Sequence, residues 1–301
     1  MMNIYDAVQM FRKNRQMYCS VDTVQYYDEN LSRFLLWLES VLGSSDIMIE
    51  NLPSDVMQDY IIYLRGTKVK NVTIRTYCRA VKVFLGWAYG ERLCENYVNG
   101  VRYPRDDSGI VTPLYADEVV VLDSGFNDTT VLGIRDFCII HLMLDCGLRL
   151  GEVVSLRCQD VLFNKNIICV VDSKYNKSRL VPLPSFLAST LQNYISLVQP
   201  SQEILLTRRG CPLNENTIKL LFSRLKRFSG IPRIHAHLLR HSFATSYIYY
   251  GGNLEMLRLL LGHSDYNVTR GYLHLANQYT LMDAELYRLD DIFYRDRRLI
   301  H

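Results

Sequence analysis

The sequence predicts a mainly α-helical protein with a small β-sheet, an α+β fold in two domains. Three observations carry this expectation. Up to about residue 100, apolar residues recur at helical spacing and no alternating run interrupts them. Then IICVVD (167–172) and SRLVPL (178–183) form two β-type runs joined by SKYNK, which reads as a hairpin. Beyond the hairpin the helical spacing returns. A chain of 301 residues is long enough for two domains.

Taken in order, helical patterns cover 3–18, 21–42, 54–65 and 71–90, with Ser54 after Pro53 as an expected N-cap and Gly43 and Gly66 as expected stops. Turn formers and charges without periodicity follow in NGVRYPRDDSGIVTP (99–113). The expected organisation is an N-terminal helical domain at 1–105, a linker at 106–112 and a second domain at 113–301. In the second domain, helical patterns fit 115–124, 129–146 and 150–157, and the hairpin comes next. A helix at 185–198, a short strand EILLT (203–207) and helices near 214–229, 237–250, 253–261 and 265–273 complete the domain. A last amphipathic helix carries Met282, Leu286, Leu289 and Phe293.

Composition excludes several classes. There is no stretch of 18 clean apolar residues, so no membrane span or membrane partner is expected. The N-terminus MMNIYDAVQMFRKNRQ lacks a secretory apolar region, and the eight cysteines are scattered without a C-x-x-C pair. They read as reduced core thiols of a cytoplasmic protein, with no structural zinc. Net charge is only +3, so its distribution is more informative. No acid lies between Asp59 and Glu91, while Arg75, Arg79 and Lys82 fall at i, i+4 and i+7 on one helical face. A basic face is most often only solvated. A stretch this free of acids adds a second reading, contact with phosphates.

Four segments carry more charge than packing requires. They are GLRLGE with Arg149 and Glu152, the hairpin with Lys174, Lys177 and Arg179, HLLRHSFAT with His237, Arg240 and His241, and LGHSDYNVTRGY with His263 and Tyr272. Singly, each has a structural explanation: a cap, an exposed turn lysine, a core histidine, one tyrosine among 21. Together they describe phosphoryl chemistry. Arginines grip phosphate oxygens in bidentate fashion. Histidine and lysine move protons, and tyrosine supplies an oxygen nucleophile. Fixed cations aimed at a phosphodiester under attack stabilise the transition state. A phenol is a poor nucleophile at neutral pH, so the site must help remove its proton. No carboxylate cluster stands by to hold a metal, and clustered arginines would repel one.

These residues resemble the signature of the tyrosine recombinases of the phage-integrase family, in its compact Xer-like form. Arg149 lies in GLRLGE, Lys174 in SKYNKSRLVPL, His237 and Arg240 in HLLRHSFAT, His263 in LLGHSD, and Tyr272 nine residues after that histidine. The resemblance runs from about Gly133 to Leu275, and the basic helix 71–90 is similar, more weakly, to the family's N-terminal domain. Cys146, Gly151 and Gly271 depart from residues frequent in the family at those places.

The resemblance implies an N-terminal helical-bundle, SAM-like core-binding domain and a catalytic domain that together clamp double-stranded DNA. Arg149, Arg240 and His263 would hold the scissile phosphate, Lys174 would act as general acid, and His237 would assist proton transfer. Tyr272 would attack, giving a 3′-phosphotyrosyl link without cofactor, metal or ATP. Glu152 and His241 would support these groups from behind, while Arg75, Arg79, Lys82, Lys177 and Arg179 would contact DNA. Implied partners are recombination sites and further copies of the chain, a dimer per site and a tetramer in synapsis through a Holliday junction, with accessory DNA-bending proteins. The final helix would dock on a neighbouring copy. The expected role is integrase or transposase of a mobile element. Alternatives are Xer-type dimer resolution, a type IB topoisomerase, an inactive DNA-binding protein of the same fold and a metal-dependent nuclease.

Overall fold

The computed structural model describes residues 2–105, 111–172, 177–207, 209–263, 265–266 and 268–273, without the side chains of Asp172 and Lys177. The chain divides into two compact units, residues 1–109 and 110–301. Lys174, most of the expected linker and the final amphipathic helix lie outside the described residues.

Unit 1 consists of α1 (Ile4–Gln16), α2 (Val21–Leu42), α3 (Val56–Gly66) and α4 (Asn71–Gly90). Local chemistry sets their ends. Ser20 Oγ accepts from the Thr23 N–H at the start of α2, and Gly43 closes it in the left-handed conformation. Ser54 does not cap α3. Asp55 occupies the N-cap position, because a turn bond from Val56 N to Pro53 O already starts the helix. The core is aromatic: Phe11 meets Phe84 at 5.6 Å and Phe34 meets Tyr60 at 5.0 Å between ring centroids. All four are fully buried, and the three phenylalanines are each worth about 1.5–3 kcal/mol of transfer free energy. Helix α4 turns Ile74, Cys78, Val81, Phe84 and Leu85 inward and leaves Arg75, Arg79 and Lys82 exposed. The Lys82 ammonium stands 5.4 Å from the Tyr103 ring centroid.

Unit 2 begins with α5 (Ala116–Asp123), α6 (Val131–Leu144) and α7 (Leu150–Val154). A three-stranded antiparallel sheet follows: β1 (Val161–Leu162), β2 (Ile167–Asp172) and β3 (Lys177–Pro182), in that spatial order. Val170 pairs with Arg179 across the hairpin. Then come α8 (Ser185–Val198), α9 (Glu215–Ser229), α10 (Ala236–Tyr249) and α11 (Leu254–Leu261). Strand β1 was not expected, since two residues are too short for a period-2 pattern. EILLT forms no strand. Glu203 and Leu206 make isolated bridges, while Ile204 and Leu205 are both buried, so an apolar run without alternation fills core without building a ladder. Among the described residues, no helix is long and apolar enough to cross a membrane.

Helix α6 is buried almost all round and holds His141, only 4% exposed, among its apolar residues. The imidazole survives burial because Asp145 Oδ2 lies 2.6 Å from Nδ1 and Asp123 Oδ1, at the end of α5, lies 2.9 Å from Nε2. Burial alone would lower its pKa, but the hydrogen bonds to the two carboxylates outweigh it and push it up to about 9. The ordinary histidine value is about 6.5. A raised folded-state pKa stabilises the fold fully below that value, and the contribution is lost as pH rises through about 9. Unfolding free energy should therefore fall between about pH 6.5 and 9 by on the order of 3 kcal/mol. In His141→Phe this slope should vanish, which urea melts across the range would detect; an unchanged slope would assign it to other groups.

Helix α6 stops at Leu144 because Gly147 reverses the chain with φ of +64°. The Leu148 N–H bonds back to Leu142 O at 3.1 Å. A Cβ on Gly147 would also sit 2.5 Å from a Phe243 ring carbon. Gly147→Ala should cost about 2–4 kcal/mol, from a left-handed alanine plus displacement of Phe243. A thermal midpoint within a degree of the parent would contradict this.

Candidate active site

The turn at Gly147 delivers Arg149 to the N-cap position of α7. There the Arg149 N–H donates to Glu152 Oε2 at 2.7 Å, and its Nη1 donates to Oε1 of the same carboxylate at 2.9 Å. Glu152 has a second cation. Arg179 of β3 approaches it end-on, with Nη1 to Oε1 at 2.8 Å and Nη2 to Oε2 at 2.7 Å. Burial would raise the Glu152 carboxyl, but Arg179, the Arg149 N–H and the Arg149 charge hold it at about 2.

Arg179 was expected on the DNA. Its guanidinium is instead committed to Glu152 and, through Nε, to the Leu260 carbonyl at 2.6 Å, and its side chain is 11% exposed. Strand alternation explains the placement. Arg179 shares its face with buried Val181, while Ser178 and Leu180 face out.

The C-terminal end of α11 organises the rest. A helix end leaves its last carbonyls without partners and carries partial negative charge. Three successive carbonyls here each accept from a different arginine. Leu260 O takes Arg179 Nε at 2.6 Å, Leu261 O takes Arg240 Nη2 at 2.6 Å, and Gly262 O takes Arg149 Nη2 at 3.2 Å. Arg240, on α10, also donates from Nη1 to Gly147 O at 2.6 Å. It is 6% exposed, and burial, followed by repulsion from Arg149, lowers its pKa to about 10. It remains cationic at neutral pH.

His263 follows the glycine that caps α11. Its Nε2 lies 3.3 Å from Arg240 Nη2. Guanidinium only donates, so Nε2 accepts and the ring proton sits on Nδ1, 2.9 Å from Thr269 Oγ1. Thr269 is fully buried. Burial, then Arg240, Arg149, Arg179 and Arg258, push His263 down to about 4. Across the neutral range it is therefore an uncharged imidazole of fixed tautomer.

Residues 268–273 are helical and bring Tyr272 against the apolar cluster of Ala244, Ile248, Leu257 and Leu261. The phenol ring lies 5.2 Å from the His241 ring and is nearly parallel to the His263 ring at 6.4 Å. Burial raises the phenol pKa, and Arg240 and Arg149 pull against that rise. His237 stands exposed in the first turn of α10. Partial desolvation, then His235, Arg240 and Arg149, hold its pKa below the usual value, so it is available as a proton acceptor. His241 donates from Nε2 to Val111 O at 3.1 Å.

The structure thus gathers Arg149, Glu152, Arg179, Arg240, His263 and Tyr272 around one helix end, with His237 on the same helix as Arg240. Thr269 and the α11 carbonyls escaped sequence reasoning. A threonine six residues after a histidine has no periodicity to flag it, and backbone acceptors carry no residue identity. Among the described residues, no group of three or more His, Cys, Asp or Glu side chains is placed to hold a metal.

Comparison with known proteins agrees with this picture. The profile of the phage integrase family matches residues 114–279, and that of the phage integrase SAM-like domain matches residues 4–99. The tyrosine recombinase XerC of Staphylococcus aureus strain JH9 is 26% identical over 268 residues, covering 86% of this chain and 88% of the relative. The fold is shared with the Tn1549 transposon integrase, solved in complex with a circular intermediate DNA (TM-score 0.75, 19% identity, 88% of this chain and 94% of that one). It is shared too with a lambda integrase dimer bound to a COC′ core site (TM-score 0.72, 17% identity, 90% and 95%). With a family profile spanning more than half its length over the residues that build this site, the chain belongs to the phage integrase family, the DNA strand-transferring tyrosine recombinases.

Proposed function

We propose that this protein is a site-specific DNA recombinase that cuts and rejoins double-stranded DNA through a 3′-phosphotyrosyl intermediate. The observation that carries the reading is the convergence of Arg149, Arg240 and His263 at one helix end beside Tyr272. Arg149 and Arg240 hold the non-bridging oxygens of the scissile phosphate, where charge grows during attack. The Tyr272 oxygen bonds to phosphorus as the bond to the 5′ oxygen breaks. The phenol proton leaves towards neutral His237, and Lys174 protonates the departing 5′ oxygen. The ester so formed keeps the bond energy, and attack by a 5′ hydroxyl of the partner strand reverses the step. Glu152 aims Arg149, and Arg179 acts through Glu152 and not on DNA.

The exposed face of Arg75, Arg79 and Lys82 suits phosphate contact by unit 1, and Lys177 serves the same purpose at the hairpin. Two copies act per recombination site and four in a synapse that passes through a Holliday junction, assisted by DNA-bending proteins. The segment that carries Met282, Leu286, Leu289 and Phe293, amphipathic in its sequence pattern, docks on a neighbouring copy. The biological role we favour is integration or transposition of a mobile element, since the N-terminal half fits the Xer pattern only loosely. A second reading, resolution of chromosome or plasmid dimers in the cytoplasm, draws support from the XerC relatives at 26% identity.

The test is a suicide DNA substrate nicked near a candidate site, incubated with chelator and resolved on a denaturing gel. Wild type should form a covalent protein–DNA band, and Tyr272→Phe should form none while binding the same DNA. A band from both proteins would mean that another residue is the nucleophile.

A further inference from the structure

The chain enters unit 2 along a strap, Val111–Leu114, that is tied down at every residue. His241 Nε2 donates to Val111 O at 3.1 Å. Arg233 Nε donates to Thr112 O at 3.5 Å and its Nη2 to Pro113 O at 3.2 Å. The Leu114 N–H donates to Ser242 Oγ at 2.8 Å. Three of these four bonds satisfy carbonyls, which a passing strap could equally leave to water. So many anchors on four residues fix the strap to α10 and to the turn before it.

Arg233 also grips Glu118 and Ser242 Oγ also donates to Leu238 O, and His241 reaches the candidate site. Its ring lies 5.2 Å from the Tyr272 ring, tilted by 49°. Tyr272 depends on such contacts. Its backbone follows Gly271, around which a Cβ would meet nothing within 4 Å, so the main chain there is not wedged into place. The phenol is held by the ring of His241, the ring of His263 and the apolar cluster beneath it. His263 is itself fixed by Arg240 and Thr269. His241 is fixed, through its hydrogen bond, by the strap.

We infer that His241 is a positioning residue for the Tyr272 ring, and that it makes the placement of the Val111–Leu114 strap a determinant of how ready that tyrosine is to attack. A displaced strap takes the Val111 carbonyl with it, the imidazole turns to follow, and the phenol loses one of the two rings that flank it. This inference rests on the proposed role of Tyr272 as nucleophile.

The experiment uses the full chain and the suicide substrate above, at saturating DNA, with single-turnover adduct rates. His241→Phe keeps a ring and loses the bond; His241→Asn keeps a donor and loses the ring. Both should slow the adduct about tenfold or more, a change of about 1.4 kcal/mol in barrier. DNA affinity should stay within about twofold. A double-mutant cycle supplies the readout that a merely structural role would not move. Arg233→Ala loosens the strap and should slow the adduct when His241 is present, yet add nothing in the His241→Phe background. A fluorotyrosine placed at 272 should shift its ¹⁹F resonance in the first case and not in the second. Where Arg233→Ala melts below the assay temperature, Ser242→Ala, which removes the acceptor for Leu114, replaces it in the same cycle. Wild-type rates for both His241 variants would overturn the inference, as would independent, multiplicative effects in the cycle. An adduct that survives Tyr272→Phe would overturn the underlying reading instead, and this inference with it.

Discussion

Arg240→Ala should reduce covalent adduct formation by about 10³-fold or more, the scale expected when a donor aimed at developing charge is removed from a water-poor site. The same change should lower stability by about 2–4 kcal/mol. Arg240 is the only described side chain that bonds both Gly147 O, in the turn after α6, and Leu261 O, at the end of α11. Alanine leaves both carbonyls buried without that donor, at about 1–3 kcal/mol each, partly offset because a costly buried charge is gone. Arg240→Lys separates the two effects. It keeps the charge but has no planar fork, so it should recover much of the stability and little of the rate. Urea melts and single-turnover assays at saturating DNA measure the pair. A lysine variant with near-wild-type rate would show that charge alone suffices and that the two-carbonyl geometry is incidental.

Arg179→Ala gives the second large effect and decides between two assignments of that residue. A phosphate contact contributes about one unit to the slope of log affinity against log salt. Arg179 is committed to Glu152 and Leu260 O, so its removal should leave that slope unchanged while adduct formation falls about 100-fold. The physical cause is Glu152. With Arg179 in place, one carboxylate is shared between two cations, and Arg149 keeps excess positive charge for a phosphate. Without it, Glu152 neutralises Arg149 alone and the α11 end loses an anchor. Breaking a largely buried pair on one side also costs about 3–5 kcal/mol. The double variant Arg179→Ala/Glu152→Ala should therefore be more stable than Arg179→Ala alone. A salt slope reduced by one unit would return Arg179 to the DNA.

Much of this architecture is legible in the sequence, and the failures have physical reasons. Helices α2, α4 and α8 begin and end where apolar spacing places them, because each has a clear amphipathic stripe, and Gly43 adds a stop to α2. EILLT misleads because a short apolar run describes burial and not ladder pairing. The residues that the structure brings together could be picked out from their order along the chain, but the partnerships among them could not. Arg179 reads as a DNA contact as long as arginine is matched with phosphate; the alternation that sets it beside Val181 was the available signal. Thr269 and the Gly147, Leu260, Leu261 and Gly262 carbonyls leave no such trace, since what they offer is position.

The docking of three arginines onto consecutive carbonyls of α11 has a consequence for how the protein tolerates change. The acceptors belong to the main chain, so side chains along the outer surface of that helix are free to vary. Its length is not. One residue inserted or deleted between Leu254 and Gly262 would rotate the helix end by about 100° and shift it by about 1.5 Å. Leu260 O, Leu261 O and Gly262 O would all leave their arginines together. Such a variant would retain every arginine, histidine and tyrosine of the site and still be disarmed. For the proposed chemistry, the count of residues in this short helix matters as much as the side chains assigned to it.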